Sequence, residues 1–266
     1  MSKIIICYHF TAFDSIKNIK KFIKHYKKYK TGSKHALLIC FKLIDKQKVA
    51  LIKKILKDTN YIHYIDPFNV NDYDFGSYKR VAEIYSKNTI FFMNSYSYPL
   101  KNNWLKKLLY HFKDKTILGT SASYESLLTS LKLKKFYKLF SYLKKFYKYQ
   151  NKFKSFPNPH IRTSSFLIKG SDFLNFMKNK KILTKEDAWM AESGFNGLTN
   201  FFKNKKYNIY IVNSDGLKFT ENNWKLSETY NYLKQSKSLI SDKHTRKYLK
   251  LSFKKRLLAS ILSWGR

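Results

Sequence analysis

Acidic residues are the scarce class in this 266-residue chain: 17 Asp and Glu stand against 53 Lys and Arg, a formal net charge of +36. That balance draws a protein to polyanions, whether nucleic acid, anionic lipid or phosphorylated substrates. A genome rich in A and T also raises Lys, Ile, Asn, Tyr and Phe together, so the position of the charge informs more than its sum. Cysteine is scarcer still. Cys7 and Cys40 each sit in a short apolar run, which excludes a disulfide framework or zinc pattern, fits a reducing cytoplasm and reads as two small buried hydrophobes. No uncharged apolar stretch approaches the roughly 18 residues of a spanning helix. The run after Met1-Ser2-Lys3 is too short for a secretory leader. The expected location is the cytoplasm, with any membrane contact peripheral, on the inner face of the plasma membrane.

Apolar and aromatic residues are abundant, at 44% and 18%, which rules out a disordered chain and leaves ample material for a core. Ile4 to Tyr8 reads as a buried strand, and Ile16, Ile19, Phe22, Ile23 and Tyr26 recur at helical spacing. His35 to Phe41 is a second strand, Asp45 to Lys57 a second helix, and Tyr61 to Ile65 a third strand. Thr89 to Met93 is a fourth, Trp104 to Phe112 a helix, Thr116 to Gly119 a short strand, and Ser164 to Ile168 and Tyr207 to Val212 further strands. This alternation predicts an α/β fold, a Rossmann-like, mostly parallel sheet flanked by helices. Ligands of such sheets gather at the carboxyl ends of the strands, here the loops after Tyr8, Phe41, Ile65 and Met93. In the third of these, Gly76-Ser77 at a helix start offers backbone N–H groups to a phosphate, or is an ordinary helix entry.

The longest acid-free segment and the C-terminal one are both basic and rich in apolar residues. Between Ser126 and Ser171 there are eleven Lys or Arg and no Asp or Glu, and acids vanish again after Asp242. In the first, Leu133, Phe136, Tyr137, Phe140, Leu143, Phe146 and Tyr147 form an apolar stripe beside Lys134, Lys135, Lys138, Lys144, Lys145 and Lys148. A basic amphipathic helix of this kind suits an anionic membrane surface, or is an insertion that packs its stripe on the domain. The expected organisation is a catalytic domain over residues 1–225, with a basic insertion at about 126–160, and a basic helical tail over 226–266.

Several pieces in order resemble GT-A glycosyltransferases, especially family-2-like enzymes of bacterial surface-polysaccharide pathways. They are Lys3 to Tyr8, Tyr73-Asp74-Phe75-Gly76-Ser77-Tyr78, Ile90 to Ser95 with Trp104-Leu105, Ile161 to Phe166, and Lys185-Glu186-Asp187 with Glu192-Ser193-Gly194. The resemblance implies a nucleotide-sugar donor bound by Tyr8, Asp66, Asp74, Gly76, Ser77, Asn94 and Ser95. It also implies a glycan or lipid-linked acceptor met by Arg162, Trp189 and Glu192. The family's Asp-x-Asp, which holds Mn²⁺ or Mg²⁺ on a diphosphate, is replaced by Asn94-Ser95-Tyr96. Either a metal is held elsewhere, partly by Asp66 or Asp74, or the diphosphate is met by lysines, arginine and backbone N–H groups. No nucleic-acid motif occurs, although the charge and aromatics also fit a nucleic-acid-binding protein. The missing Asp-x-Asp also fits an inactive GT-A scaffold.

Three of the scarce acids fall between Thr184 and Thr199. By resemblance Asp187 is the general base, taking the acceptor proton, and Glu186 is the second candidate. Thr184 and Asp187 equally fit a helix capping box. On one helix residues five apart differ by about 140°, so Glu192 is expected to serve separately, binding a hydroxyl or fixing the Ser193-Gly194 turn. His160 and Arg162 suit a phosphate or sugar, with a loop histidine the plainer reading; Trp189 stacks on a sugar or packs in the core. As the base, Asp187→Asn abolishes transfer in a folded protein; as a cap alone, its loss costs about 1 kcal/mol in a denaturation curve.

Overall fold

The computed structural model describes residues 3–131 and 136–266. The first half alternates as expected: β1 (Ile4–Thr11), α1 (Ile16–Lys28), β2 (Ala36–Lys42), α2 (Lys46–Ile55), β3 (Ile62–Ile65), α3 (Tyr73–Ile84), β4 (Thr89–Met93), β5 (Tyr98–Pro99), α4 (Trp104–His111), β6 (Thr116–Gly119) and β7 (Ala122–Ser123). There follow α5 (Leu139–Gln150), β8 (His160–Ile161), β9 (Ser165–Lys169), α6 (Gly170–Met177), α7 (Lys185–Ser193), α8 (Leu198–Asn204), β10 (Asn208–Val212), β11 (Lys218–Phe219), β12 (Ile240–Ser241), α9 (Lys243–Leu249) and α10 (Phe253–Trp264). Of the insertion's expected stripe, Leu133, with Lys134 and Lys135, lies outside the described residues, as do Met1 and Ser2. No helix among the described residues is long and apolar enough to cross a membrane.

Eight strands form one sheet in the order β11-β10-β6-β9-β4-β1-β2-β3. β4, β1, β2 and β3 run parallel, as do β10 and β6, whereas β9 is antiparallel to both its neighbours. The fold is therefore α/β with a mostly parallel sheet. β4 is buried along its whole length, which is why it reads as a continuous apolar run rather than an alternation. Successive residues point to opposite faces: Ile5, Cys7, Leu38, Cys40, Ile90 and Phe92 pack with α3, α6 and α8, while Ile6, Tyr8, Leu37, Ile39, Phe91 and Met93 pack with α1 and α4.

One buried ionic cluster ties β2, the β3 to α3 loop and α3 together. The Arg80 guanidinium donates to both oxygens of Asp66 at 2.7 and 2.6 Å and to both oxygens of Asp72 at 2.7 and 3.1 Å. Lys42 Nζ lies 3.0 Å from Asp72 and 3.4 Å from Asp66, and Ser77 Oγ donates to Asp66 at 2.5 Å. Asp72 thus serves the cations and makes no side-chain cap on α3. The helix opens at Tyr73, earlier than Gly76-Ser77. The Gly76 N–H is already bonded to the Asp72 carbonyl at 3.1 Å, so it is not free for a phosphate. A Cβ at Gly76 would fall 1.9 Å from Asp72 Oδ2, so the close approach of this carboxylate requires glycine.

Removing one partner of such a cluster leaves charge buried without compensation. Arg80→Met should destabilise by about 3–5 kcal/mol in urea unfolding. Burial pushes the Asp66 carboxyl up, but the Arg80 fork, the Ser77 hydroxyl and the Phe68 N–H together hold it below the usual carboxylate range. That stabilisation is complete above the ordinary value of about 3.9 and is lost as pH falls through the lower folded value. Unfolding curves taken through this acid window should therefore show a smaller loss for Arg80→Met than for the parent.

Candidate functional site

β1 has β2 on one side and β4 on the other, so the chain path diverges at this strand and a crevice opens beyond the carboxyl ends. Most polar groups of its floor are hydrogen-bonded to one another. Tyr8 is buried in the core, stacked on Phe22 at 3.9 Å, and its hydroxyl donates to the Ser95 carbonyl at 2.6 Å. Asp14 Oδ2 accepts from Thr11 N and Oγ1, both at 2.8 Å, and its Oδ1 accepts from Ser95 Oγ at 2.5 Å. Asn94 Oδ1 accepts from Ser97 Oγ at 2.8 Å. Thus Asp14, which the sequence reading missed, replaces a carboxylate of the strand end but has both oxygens taken.

The donor set at this strand end is short of carboxylates for a divalent cation, since of the two acids expected to hold one only Asp74 keeps an open oxygen. Asn94, Ser95 and Tyr96 bring no carboxylate, Asp14 is saturated, and Asp66 is held in the Arg80 and Lys42 cluster. Among the described residues no three His, Cys, Asp or Glu side chains group as ligands.

Over this floor lies a cavity of about 320 Å³. It gathers five of the expected site residues, Asp74, Asn94, Arg162, Trp189 and Glu192, and adds Tyr96, Thr163, Lys185 and Lys243. Asp74 is half-exposed at the start of α3, with Oδ1 2.8 Å from Nδ1 of the buried His9. Glu192 Oε1 accepts from Thr163 N at 2.9 Å and Thr163 Oγ1 at 3.0 Å. The remaining oxygens, Asp74 Oδ2 and Glu192 Oε2, have no hydrogen-bond partner among the described residues. Gly197 secures the turn behind Glu192: a Cβ there would lie 2.8 Å from the Glu192 carbonyl oxygen. Lys185 Nζ sits 5.2 Å from the Trp189 ring centre and Lys243 Nζ 5.2 Å from that of Tyr96, so two cations border the cavity.

A second cavity of about 400 Å³ shares Arg162, Trp189, Glu192 and His244 with the first and continues past His160 and Tyr230 to Leu127, Ala259 and Leu262. Between the two lies a buried ion pair, Arg162 Nη1 to Asp242 Oδ2 at 2.5 Å, with the guanidinium 3.9 Å over the Tyr230 ring. Burial pushes the Asp242 carboxyl up; the Arg162 charge and the Thr245 N–H outweigh it and bring it to about 2. Arg162, expected at the acceptor, therefore has its charge already matched. Burial lowers His160, whose Nδ1 lies 2.8 Å from the Asn158 carbonyl oxygen. Residues 226–266 supply Tyr230, Asp242, Lys243 and His244 to these walls, and β12 pairs with β5.

The other expected residues sit elsewhere. Asp187 completes the capping box of α7, its Oδ2 accepting from Leu183 N, Thr184 N and Thr184 Oγ1 at 3.1, 2.8 and 2.8 Å. It lines a separate cavity with Lys152, Ile182 and Met190. Glu186 is held by Lys148 at 2.8 Å and Lys152 at 2.5 Å. Gly76, Ser77 and Asp66 belong to the ionic cluster beneath the crevice. The contacts that matter most here, Asp14 with Ser95, Thr163 with Glu192 and Arg162 with Asp242, join residues 81, 29 and 80 positions apart. A weak signal for the first was present in Thr11-x-x-Asp14 directly after a strand.

No family model and no curated relative matches the sequence. Among solved structures the chain is similar to the mannosyltransferase Ktr4p from S. cerevisiae, at 11% identity over 71% of this chain and 59% of that one, TM-score 0.39. It is similar to the galactosyltransferase LgtC in complex with donor and acceptor sugar analogs, at 10% identity over 79% and 73%, TM-score 0.47. It is also similar to the 4-diphosphocytidyl-2C-methyl-D-erythritolsynthase from Anaerococcus prevotii, at 10% identity over 85% and 94%, TM-score 0.46. The chain spans less than two thirds of Ktr4p.

Proposed function

We propose that the chain is a glycosyltransferase that moves a sugar from a nucleotide-sugar donor to a glycan or lipid-linked acceptor, with inversion at the anomeric carbon. The observation that carries this reading is the cavity beyond β1 and β4, where Asp74 and Glu192 each keep one oxygen uncommitted and two lysines stand nearby. In the proposed step the acceptor oxygen attacks the anomeric carbon. The bond from that carbon to the diphosphate oxygen breaks, its electron pair leaves with the nucleoside diphosphate, and the acceptor proton passes to Glu192 Oε2. The Thr163 bonds to Oε1 hold the carboxylate in place for this transfer.

Lys185 and Lys243 supply positive charge to the departing diphosphate, Asp74 accepts from a donor hydroxyl, and Trp189 offers a face to a sugar ring. Glu192 is preferred over Asp187 and Glu186 as base because it alone of the three borders this cavity, whereas Asp187 Oδ2 is filled by three donors and Glu186 by two lysines.

A thermal-shift panel of nucleotide diphosphate sugars, with and without Mn²⁺, should single out a donor that raises the melting temperature, since a ligand of the folded state stabilises it. With that donor, Glu192→Gln should lower kcat by about 10²–10⁴-fold without changing the thermal melt. Asp187→Asn should retain activity and lose about 1 kcal/mol of stability; an inactive, normally folded Asp187→Asn would return the base to Asp187. Lys185→Gln and Lys243→Gln should each weaken binding of the nucleoside diphosphate alone, measured calorimetrically. A chain that binds the donor but neither hydrolyses nor transfers it would be a scaffold, not an enzyme.

A further inference from the structure

Helix α5 turns most of its apolar arc to solvent. Leu139, Phe140, Leu143, Phe146 and Tyr147 fall within about 120° of one another and Ser141, Lys144, Lys145 and Lys148 within about 100° on the other side. A helix that packed this stripe on the domain would hide it. Instead Phe140 is 87% exposed and Tyr147 66%, and Tyr149 is the buried residue of the helix. The reason lies in how α5 is attached. Lys148, on the polar arc, is paired with Glu186 of α7, and Lys152 just beyond the helix holds the same carboxylate. The protein body lies on the Tyr149 side, where the half-buried Leu139, Tyr142 and Phe146 also fall, so Phe140, Leu143 and Tyr147 face away from it together with the exposed Lys144 and Lys145.

Helix α10 repeats the arrangement. Its far end is anchored by the buried Trp264, whose Nε1 donates to the Tyr230 carbonyl at 2.8 Å, while Phe253 is 75% exposed and Leu257 and Leu258 are also exposed beside Lys254 and Lys255. Neither helix contains an acid, and none occurs between Ser126 and Ser171 or after Asp242.

We infer that α5 and α10 seat the protein on an anionic lipid bilayer, their aromatic and leucine side chains entering the interface and their lysines meeting lipid phosphate. The charge selects this occupant. A second copy of the chain would set lysines against lysines across an interface without a carboxylate to match them. A nucleic acid would satisfy the lysines and leave the apolar arcs in water. A bilayer surface offers phosphates and hydrocarbon at the two depths that lysine stems and aromatic rings reach together. Each lysine beside an anionic leaflet adds on the order of fivefold to partitioning, so the several lysines here suffice without a spanning segment. This surface is independent of the chemistry proposed for the crevice.

The test is sedimentation of the full chain with vesicles of phosphatidylglycerol and phosphatidylcholine, against pure phosphatidylcholine, at physiological salt. The chain should pellet with the first and stay in solution with the second. Two triple variants, Phe140→Ser with Leu143→Ser and Tyr147→Ser, and Phe253→Ser with Leu257→Ser and Leu258→Ser, should each lower partitioning by about tenfold or more with unchanged thermal melts, because these side chains are exposed. Equal binding to both vesicles, binding to neither, or undiminished binding by both variants would overturn the inference. So would a lipid-free dimer in size-exclusion chromatography, or RNA binding in a mobility shift, that the α5 variant abolishes, since either assigns the face to another occupant.

Discussion

The crevice depends on one buried ion pair. Arg162 comes from the turn between β8 and β9, Asp242 from the start of α9, and they meet at 2.5 Å in a site largely withdrawn from water. Removing two charges from water costs several kcal/mol each, and only close geometry and further bonds offset it. Both are present: Asp242 Oδ1 accepts from His244 N and Thr245 N at 2.7 and 2.9 Å, and the guanidinium lies over Tyr230. A pair of this kind adds little net stability, but separating it would strand a buried charge. The C-terminal segment that brings Tyr230, Lys243 and His244 to the cavities is accordingly fixed as a wall, although its composition suggests an appendage.

The same constraint sorts the acids. Asp14 and Asp242 have both oxygens satisfied and act as structure, Asp66 and Asp72 are locked to Arg80 and Lys42, and Asp187 caps a helix. Asp74 and Glu192 remain half-committed, each oriented by one oxygen and open at the other. Orientation by one oxygen gives the carboxylate a fixed direction while leaving it an acceptor for a substrate hydroxyl. Asp187 shares this property, since its three bonds are all to Oδ2, but of such acids Asp74 and Glu192 border the cavity beyond β1 and β4, so position together with vacancy of an oxygen distinguishes them.

The sheet was legible because burial on both faces leaves a mark in sequence. β4 spans Thr89–Met93, the limits its apolar run indicates, and β1, β2 and β3 differ from their readings only at the ends. The crevice followed from the same pattern, since strand ends locate it, and Asp74, Asn94, Arg162, Trp189 and Glu192 all reach it. What local pattern does not carry is which polar groups are already paired. Asp187 satisfies a capping box and an acidic motif in the same three letters, and only the placement of Leu183 and Thr184 around Oδ2 separates the roles. Thr163, 29 residues before Glu192, leaves no local trace of holding it.

The distribution of acids also explains how one molecule carries a charge of +36 and carboxylates with an open oxygen in its crevice. The buried carboxylates are mostly paired inside, so the excess lysine is a property of the surface, on α1 and α2 as well as on α5 and α10. An anionic diphosphate approaching the proposed site meets a field of one sign, which raises encounter rates and falls away with salt. Inside the crevice the charges are nearly balanced, because Arg162 is matched by Asp242 and Lys185 and Lys243 stand near Asp74 and Glu192. Attraction at long range and a free acceptor oxygen at short range are then compatible, since they arise from different residues on different parts of the fold.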